Sequence, residues 1–253
     1  MLFPERFSGQ AAIVTGGASG LGKAIGFRLA QEGADVTLFD TNRQALDAAV
    51  EEFAQEGGSI NADVVDIGDE EAVAQTVEAV HNRNARLDVV VNSAGIVGPN
   101  GVKITDIDAE AFDDVYRVNL RGTFLITKHA LRFMQPRDYG RILLIASIAG
   151  KEGNAGMTAY STMKSGVIGL VKAVGKEFAE SGITVNGLAP AVIRTAMVDG
   201  MQPEQVKYMT DKIPMKRCGT LDEVASIATW IVSEEASFNT GYVFDLTGGR
   251  AVY

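Results

Sequence analysis

Cysteine and histidine are scarce in this sequence of 253 residues, which has one of the first and two of the second. Cys218 therefore cannot form a disulfide within the chain. A zinc site normally needs four cysteine or histidine ligands, or three with an open position, and the sequence has no cysteine cluster to add to His81 and His129. We expect no bound metal.

Positive charge is also in short supply, because 23 Lys and Arg stand against 32 Asp and Glu, which gives a net charge of −9 at pH 7. Nucleic-acid binding and a basic membrane-binding face both require an excess of positive charge. No apolar run approaches the roughly 18 residues of a membrane span. Residues 1–6 lack the long apolar stretch of a signal peptide. We expect a soluble cytoplasmic protein that binds neither nucleic acid nor membrane.

Hydrophobic residues make up 46% of the chain, enough for a large core. From residue 11 onward, short apolar runs alternate with segments of helical periodicity. The predicted strands are 11–15, 35–40, 60–64, 87–92, 141–147, 183–188 and 242–246. The predicted helices are 21–32, a segment opened by a capping box at 41–44 and ending at 57–58, and 69–83, 108–134, 157–180 and 221–232.

This alternation of strands and helices predicts an α/β fold with a doubly wound parallel sheet, because parallel strands are joined by right-handed crossovers. No linker or repeat divides the chain, so we predict a single domain over 1–253. The least regular stretch, 190–219, carries Pro190, Pro203 and Pro214. We predict that it forms a flexible flap over a substrate.

A glycine-rich turn, Thr15-Gly16-Gly17-Ala18-Ser19-Gly20-Leu21-Gly22, lies where the first strand gives way to the first helix. A pyrophosphate binds at such a place because glycines expose backbone N–H groups at the positive end of the helix dipole. The spacing is T-G-x-x-x-G-x-G rather than G-x-G-x-x-G, and a bare glycine cluster also occurs in ordinary turns. The strand before it and the helix after it favour phosphate binding.

Asp40 ends the second predicted strand, 18 residues beyond Gly22. An acidic side chain at this place accepts hydrogen bonds from the hydroxyls of an adenosine ribose and repels a 2′-phosphate. Thr41 and Asn42 offer no positive charge, and Arg43 is the one nearby cation. An exposed aspartate at a strand end is the alternative, but behind the glycine turn this pattern predicts NAD rather than NADP as cofactor.

Tyr160 and Lys164 are four residues apart in a predicted helix and therefore share one face. Ser147 closes the strand before them. Oxidation of an alcohol without a metal needs a base, and a tyrosine becomes one when nearby positive charge lowers its pKa from about 10. Most Y-x-x-x-K pairs are solvated helix residues, but this one follows Ser147 and accompanies a dinucleotide-binding turn. It predicts a proton-transfer site.

Taken together, these motifs resemble the short-chain dehydrogenase/reductase family, in its compact single-domain type with a Rossmann-type sheet, over essentially the whole chain. The residues that carry the resemblance are Thr15-Gly16, Gly20, Gly22, Asp40, Asp63-Val64, Asn92-Ser93-Ala94-Gly95, Asn119, Ser147, Tyr160, Lys164, Pro190 and Thr195.

The resemblance implies a role for each of these positions. Ser147 would hold the substrate oxygen, Tyr160 would act as acid/base, Lys164 would bind the nicotinamide ribose and lower the pKa of the tyrosine, and Asn119 would stabilise a helix kink. The cofactor-binding residues it implies, together with those of the glycine turn, are Gly16, Ser19, Gly20, Leu21, Gly22, Asp40, Asp63, Val64, Asn92, Ala94, Gly95, Tyr160, Lys164, Pro190, Ile193 and Thr195.

Substrate identity depends on the variable loops, because the fold and the motifs specify only the type of reaction. Lys151 and Arg194 could pair with a carboxylate and Asn154 could read hydroxyls. They would line the pocket with Ser147, Tyr160, Glu152, Met157 and Met197. The alternative is that these are surface charges beside a cleft.

We therefore predict NAD-dependent oxidation of a secondary alcohol on a polyol or a sugar acid, such as a 2-keto-3-deoxy sugar acid. One alternative is a 3-oxoacyl carrier-protein reductase, which the stretch from Ser147 to Tyr160 also resembles, although Asp40 and the acidic charge argue against it. Another is a non-catalytic NAD-binding regulatory module. The helices at 108–134 and 157–180 have small and apolar positions beyond what one sheet face covers. They predict a homotetramer, and the apolar tail from Leu246 to Tyr253 could reach an interface.

Overall fold

The structure, a computed structural model, describes residues 2–251, and of Met197 it describes the backbone alone. The strands are β1 (Ala11–Thr15), β2 (Asp35–Asp40), β3 (Asn61–Val64), β4 (Val89–Asn92), β5 (Gly140–Ile145), β6 (Ile183–Pro190) and β7 (Val243–Leu246). The helices are α1 (Gly20–Gln31), α2 (Arg43–Gln55), α3 (Glu70–Asn84), α4 (Ala109–Val115), α5 (Thr123–Met134), α6 (Ile148–Glu152), α7 (Thr158–Glu177), α8 (Ala196–Asp199), α9 (Pro203–Asp211) and α10 (Leu221–Ile231).

All seven strands form one parallel sheet in the order β3-β2-β1-β4-β5-β6-β7. The chain runs outward from β1 to β3, crosses back, and continues from β4 on the other side of β1. The strand order therefore reverses between β1 and β4. In open parallel sheets the crevice at the carboxyl end of such a switch point is the usual ligand site. The predicted doubly wound sheet is confirmed.

Hydrophobic layers cover both faces of the sheet. Ala12 and Val14 of β1 belong to the layer that includes α1, α2 and α10, whereas Ile13 between them belongs to the layer that includes α3, α5 and α7. Because each central strand is buried on both sides, it reads in the sequence as a continuous apolar run.

Three regions differ from the sequence prediction. The helix predicted over 108–134 is interrupted by a π-helical segment, Tyr116–Gly122, between α4 and α5. The predicted flap, 190–219, contains the short helices α8 and α9. Strand β5 ends at Ile145, and Ser147 is the N-cap residue of α6 instead of the last residue of the strand.

None of the helices within residues 2–251 is long and apolar enough to cross a membrane. In the same part of the chain, no group of three or more His, Cys, Asp and Glu side chains is arranged to hold a metal ion.

Candidate active site

The glycine-rich turn lies at the carboxyl end of β1, beside the switch point. Gly16 has a φ of +64°, and a Cβ atom added to it would lie 2.9 Å from the Cα and N atoms of Ala94. A Cβ atom on Gly22 would lie 2.1 Å from the carbonyl oxygen of Gly16. Since any larger residue would collide with backbone, both positions require glycine. The turn is packed tightly against the loop that follows β4.

The first turn of α1 is open toward the crevice. Ser19 is the N-cap residue in an extended conformation, and within residues 2–251 its side chain makes no capping hydrogen bond. The first N–H groups of α1 therefore stay available at the positive end of the helix dipole, as a pyrophosphate requires. This open end and the close-packed glycines are the features that a dinucleotide needs.

Asp40 lies at the carboxyl end of β2, next to the glycine turn. Its Oδ2 atom accepts a hydrogen bond from the backbone N–H of Ala18 at 3.3 Å, and its Oδ1 atom accepts one from Asn42 at 3.1 Å. Val64 is its register partner on β3 and is 43% exposed despite being apolar. The carboxylate and this exposed apolar side chain lie side by side, as the ribose and adenine of one nucleotide would.

Asp63, also expected at the adenine, lies near Arg83, with 3.9 Å between Oδ2 and Nη2. Arg43, the cation closest in sequence to Asp40, lies 3.7 Å from Asp47 on α2. Both contacts are between largely exposed side chains. Such ion pairs contribute little to stability.

A buried hydrogen-bond chain fixes the loop after β4. The Thr15 hydroxyl donates to Asn92 Oδ1 at 2.7 Å and accepts from the backbone N–H of Ala94 at 3.1 Å. Asn92 Nδ2 donates to the Thr123 hydroxyl at 2.9 Å, which donates to the carbonyl oxygen of Asn119 at 2.6 Å. Sequence reasoning missed Thr123, although its place four residues after Asn119 was a usable signal.

Asn119 lies in the middle of the π-helical segment and is fully buried. Its amide makes two 2.8 Å hydrogen bonds with the backbone of Ile96, accepting from the N–H and donating to the carbonyl oxygen. A Cβ atom on Gly95 would lie 3.2 Å from Asn119 Oδ1 and 3.7 Å from Lys164 Nζ. Asn119 therefore joins the helix irregularity to the surroundings of the lysine.

Ser147, Tyr160 and Lys164 come together at the carboxyl end of β5. Ser147 is the N-cap of α6, accepts a hydrogen bond from the N–H of Ala149 at 3.1 Å, and hydrogen-bonds the Tyr160 phenol. Lys164 is one turn further along α7 than Tyr160, and its Nζ lies 5.7 Å from the centroid of the tyrosine ring. The same Nζ donates to the carbonyl oxygen of Ile145 at 2.6 Å.

Burial dominates the electrostatics of this trio. It raises the pKa of Tyr160, an effect partly offset by the hydrogen bond from Ser147. It lowers the pKa of Lys164 to about 8. The protein alone therefore does not produce the lowered tyrosine pKa that the sequence argument invoked. A further positive charge near the phenol is needed to favour the phenolate.

The buried lysine gives the protein a distinctive pH dependence of stability. The pKa of Lys164 is about 8 when folded and near the usual 10.5 when unfolded, so the unfolded chain binds the extra proton between these values. The free energy of unfolding should rise with pH over this interval, by about 3 kcal/mol in all. Chemical denaturation of the wild type and of Lys164→Met at pH 7 and pH 10 checks this. Lys164→Met should lack the part of the rise that comes from the lysine. An equal rise in the free energy of unfolding of both proteins between pH 7 and pH 10 would contradict the prediction.

The predicted flap reaches back to the glycine turn. Ile193 forms a parallel bridge with Gly219, and Pro190 pairs with Leu246 at the end of β6. A Cβ atom on Gly20 would come within 4.0 Å of the Thr195 methyl group. The residues expected at the nicotinamide end therefore border the same crevice as the phosphate site.

Two cations expected in the substrate pocket already have acidic partners. Lys151 Nζ lies 2.9 Å from Asp245 Oδ2, and its side chain is 9% exposed. Arg194 lies 2.8 Å from Asp199 and is 70% exposed. Met197, also expected there, has a side chain outside the described residues.

Arg250, which sequence reasoning missed, lies beside Glu152 and Asn154. Its Nη2 is 2.6 Å from Glu152 Oε2. The tail thus contacts its own chain through Arg250, while Val252 and Tyr253 lie outside the described residues.

Comparison with known proteins agrees with this geometry. Residues 16–250 match the family model described as enoyl-(acyl carrier protein) reductase. The 2-dehydro-3-deoxy-L-rhamnonate dehydrogenase (NAD(+)) of Sphingomonas sp. strain SKA58 is 40% identical over 252 residues, 100% of this chain and 99% of that protein. The 3-oxoacyl-[acyl-carrier-protein] reductase FabG of Thermotoga maritima is 35% identical, covering 98% of this chain and 100% of that protein.

Among solved structures, that of NAD+-bound xylitol dehydrogenase superposes with a TM-score of 0.90 at 31% identity, over 96% of this chain and 99% of that one. Sequence and fold therefore agree over nearly the whole length of each protein. This chain belongs to the short-chain dehydrogenase/reductase family of oxidoreductases.

Proposed function

We propose that the protein is a cytoplasmic NAD-dependent oxidoreductase that interconverts a secondary alcohol and a ketone on a small sugar acid or polyol. The observation that carries this proposal is the meeting of Ser147, Tyr160 and Lys164 at the strand ends, on the same edge of the sheet as the glycine turn that Asp40 contacts through Ala18. Bound NAD supplies the hydride acceptor and a positive charge on its nicotinamide ring. That charge is the one the buried phenol lacks in the protein alone.

Each side chain then has a defined task. Ser147 hydrogen-bonds the substrate oxygen, and Tyr160 takes the hydroxyl proton at its phenolic oxygen as the alcohol is oxidised. Lys164 favours the phenolate through its ammonium group and binds the nicotinamide ribose. Asn119 holds the π-helical segment and the Gly95 loop in place beside Lys164. In the reverse direction Tyr160 returns the proton.

The remaining groups hold the cofactor. The glycine turn and the open end of α1 bind the pyrophosphate, and Asp40 accepts hydrogen bonds from the adenosine ribose. Val64 and Asp63 contact the adenine. Ile193 and Thr195 hold the carboxamide end.

A sugar acid is supported by the Sphingomonas relative, whose name specifies both an acid substrate and NAD. The second candidate is a 3-oxoacyl thioester reductase, supported by the Thermotoga relative and by the description of the family model. The net charge of −9 disfavours it, since an acidic carrier protein would be repelled.

Initial rates with NAD and NADP across polyols and sugar acids, and with NADH and NADPH across 3-oxoacyl thioesters, test the proposal. We expect turnover with NAD and a sugar acid or polyol. Preference for NADPH together with acetoacetyl thioesters would establish the second candidate instead. Binding of NAD without turnover of any alcohol would favour the non-catalytic module.

We propose further that the protein is a homotetramer formed through two different faces. One is a groove between the π-helical segment, α5 and α7, where Tyr116 and Phe124 are both more than 40% exposed. The other is the face of α10 and β7, which bears the aromatic contacts of Trp230, Phe244 and Tyr242. Two distinct two-fold interfaces generate a closed tetramer.

A charge placed in the groove tests this assembly. A Cβ atom on Gly169 would meet no other atom within 4 Å, so the fold itself tolerates Gly169→Arg. We expect this variant to be a dimer, because burying an unpaired guanidinium disfavours one interface and leaves the other intact. Light scattering of the wild type and the variant measures the change. A monomeric wild type, or an unchanged tetramer in the variant, would refute the assignment.

A further inference from the structure

Arg250 is held at the junction of the C-terminal tail and the loop that leads from Ser147 to Tyr160. Its side chain is 10% exposed, and its Nε and Nη2 atoms donate to the same oxygen, Oε2 of Glu152, at 2.9 and 2.6 Å. Its Nη2 also donates to Asn154 Oδ1 at 3.3 Å. The pair joins residues 98 positions apart in the chain.

This junction is connected directly to the segment that carries Ser147 and Tyr160. Asn154 donates from its backbone N–H to the hydroxyl of Ser161 at 3.1 Å, and Ser161 directly follows Tyr160. Glu152 ends α6, whose N-cap is Ser147. Asn154 therefore belongs to the segment that joins Ser147 to Tyr160, and Arg250 contacts that segment from the C-terminal tail.

The contact with Arg250 determines which end of the Asn154 side-chain amide can bind a ligand. The carbonyl oxygen of that amide accepts from the guanidinium, and its Nδ2 has only a weak contact at 3.9 Å with the sulfur of Met157. An amide held in this way offers N–H donors, which suit a carboxylate oxygen and not the hydrogen of a hydroxyl group.

Arg250 also has donors to spare. A guanidinium has five N–H groups. Within residues 2–251 the hydrogen bonds of Arg250 use the one on Nε and two on Nη2, so both N–H groups on Nη1 remain for a second anion. Lys151, by comparison, is a nearly buried ammonium paired with Asp245 on β7, and Arg194 is 70% exposed and paired with Asp199 on α8.

We propose that Arg250 and Asn154 form the site that binds the substrate carboxylate, and that Glu152 is the counter-ion that holds the guanidinium in place. This inference rests on the proposed function and narrows its substrate class from sugar acids and polyols to sugar acids alone. Glu152 fixes the position of the guanidinium at a cost in affinity, because its negative charge opposes that of the incoming anion.

Two variants, one that removes the positive charge of the pair and one that removes its negative charge, distinguish anion recognition from a purely structural ion pair. In Arg250→Met the dissociation constant of 2-dehydro-3-deoxy-L-rhamnonate for the enzyme–NADH complex should rise roughly 10- to 100-fold, as expected for lost charge-assisted hydrogen bonds. In Glu152→Gln the same constant should fall by roughly threefold or more, since the competing charge is gone. If the Arg250–Glu152 ion pair only holds the C-terminal tail in place, both variants will weaken binding of the acid to a similar extent, and the inference is wrong.

The primary amide of the same acid serves as the neutral probe. Its dissociation constant should change less than about threefold in Arg250→Met, because it lacks the anionic charge. Equal losses for acid and amide would also overturn the inference. Titration calorimetry gives these constants without turnover, and thermal unfolding checks that both variants are folded.

The two levels of the proposal fail in different ways. If the wild type reduces NAD with polyols and binds the acid no better than its amide, the carboxylate site is wrong while the proposed reaction stands. If no alcohol reduces NAD at all, the proposed reaction is wrong, whatever the calorimetry shows.

Discussion

Tyr160→Phe should lower kcat by about 10³-fold or more while the affinity for NADH stays the same, because positioned general acid–base groups contribute up to about 10⁴-fold. The substitution removes one oxygen atom from a side chain that is otherwise packed in place. Ser147 loses its hydrogen bond with the phenol but keeps the one from the N–H of Ala149, and Lys164 keeps its bond to the carbonyl oxygen of Ile145. The proton of the substrate hydroxyl then has no acceptor in the site.

Tyr139→Phe is the matched control. Tyr139 is also a half-buried tyrosine whose pKa is raised by burial, but it directly precedes β5 at the amino end of the sheet, away from the crevice. Its removal should leave kcat within about twofold, as expected for a side chain outside the reaction. NADH fluorescence titration and circular dichroism of both variants establish that the cofactor site and fold are intact. Retention of more than a tenth of wild-type kcat by Tyr160→Phe would disprove the acid/base role.

The fold was predictable from the sequence because its signals are local. Buried parallel strands appear as apolar runs, and the chain alternates them with helices of ordinary length. The glycine turn and the aspartate that ends β2 are likewise read from neighbouring residues, and so is the Tyr160–Lys164 spacing. These parts of the candidate site were located most directly from the sequence.

Helical periodicity did not predict the interrupted helix, although the family resemblance implied a kink at Asn119. The apolar stripe over 108–134 is continuous in sequence, and the π-helical segment depends on the pairing of Asn119 with the backbone of Ile96, 23 residues earlier. Pro203 was one of the three prolines on which the irregular stretch 190–219 was predicted. It stands at the start of α9, where a helix does not need its missing N–H.

The substrate end was the least predictable part, since its charges are paired across long stretches of sequence. Lys151 meets Asp245 at a separation of 94 residues, and Arg250 meets Glu152 at 98. The sequence can indicate which cationic side chains are candidates for the substrate site. Only the packing of the tail against α6 places Arg250 beside Asn154, with its Nη1 donors unused within residues 2–251.

Asp40→Ala should reduce kcat/KM with NAD by about 10³-fold while kcat/KM with NADP does not fall. The expected loss corresponds to about 4 kcal/mol, the sum of two hydrogen bonds from ribose hydroxyls to a carboxylate. Removing the negative charge also removes the repulsion of a 2′-phosphate. Both the lost ribose hydrogen bonds and the lost repulsion therefore shift the ratio of the two kcat/KM values toward NADP. Adding Thr41→Arg should raise kcat/KM with NADP further, since a guanidinium beside the ribose pairs with the phosphate.

Asp35→Ala provides the control on the same strand. Asp35 begins β2 at the opposite edge of the sheet, where its carboxylate accepts a hydrogen bond from Asn61 at 3.1 Å. Both substitutions remove one carboxylate and one negative charge from β2, but only Asp40 lies beside the glycine turn. Asp35→Ala should therefore leave the NAD to NADP preference unchanged. If Asp40→Ala does no more than Asp35→Ala to that preference, the carboxylate at the end of β2 does not choose the cofactor, and its bonds to Ala18 and Asn42 are purely structural.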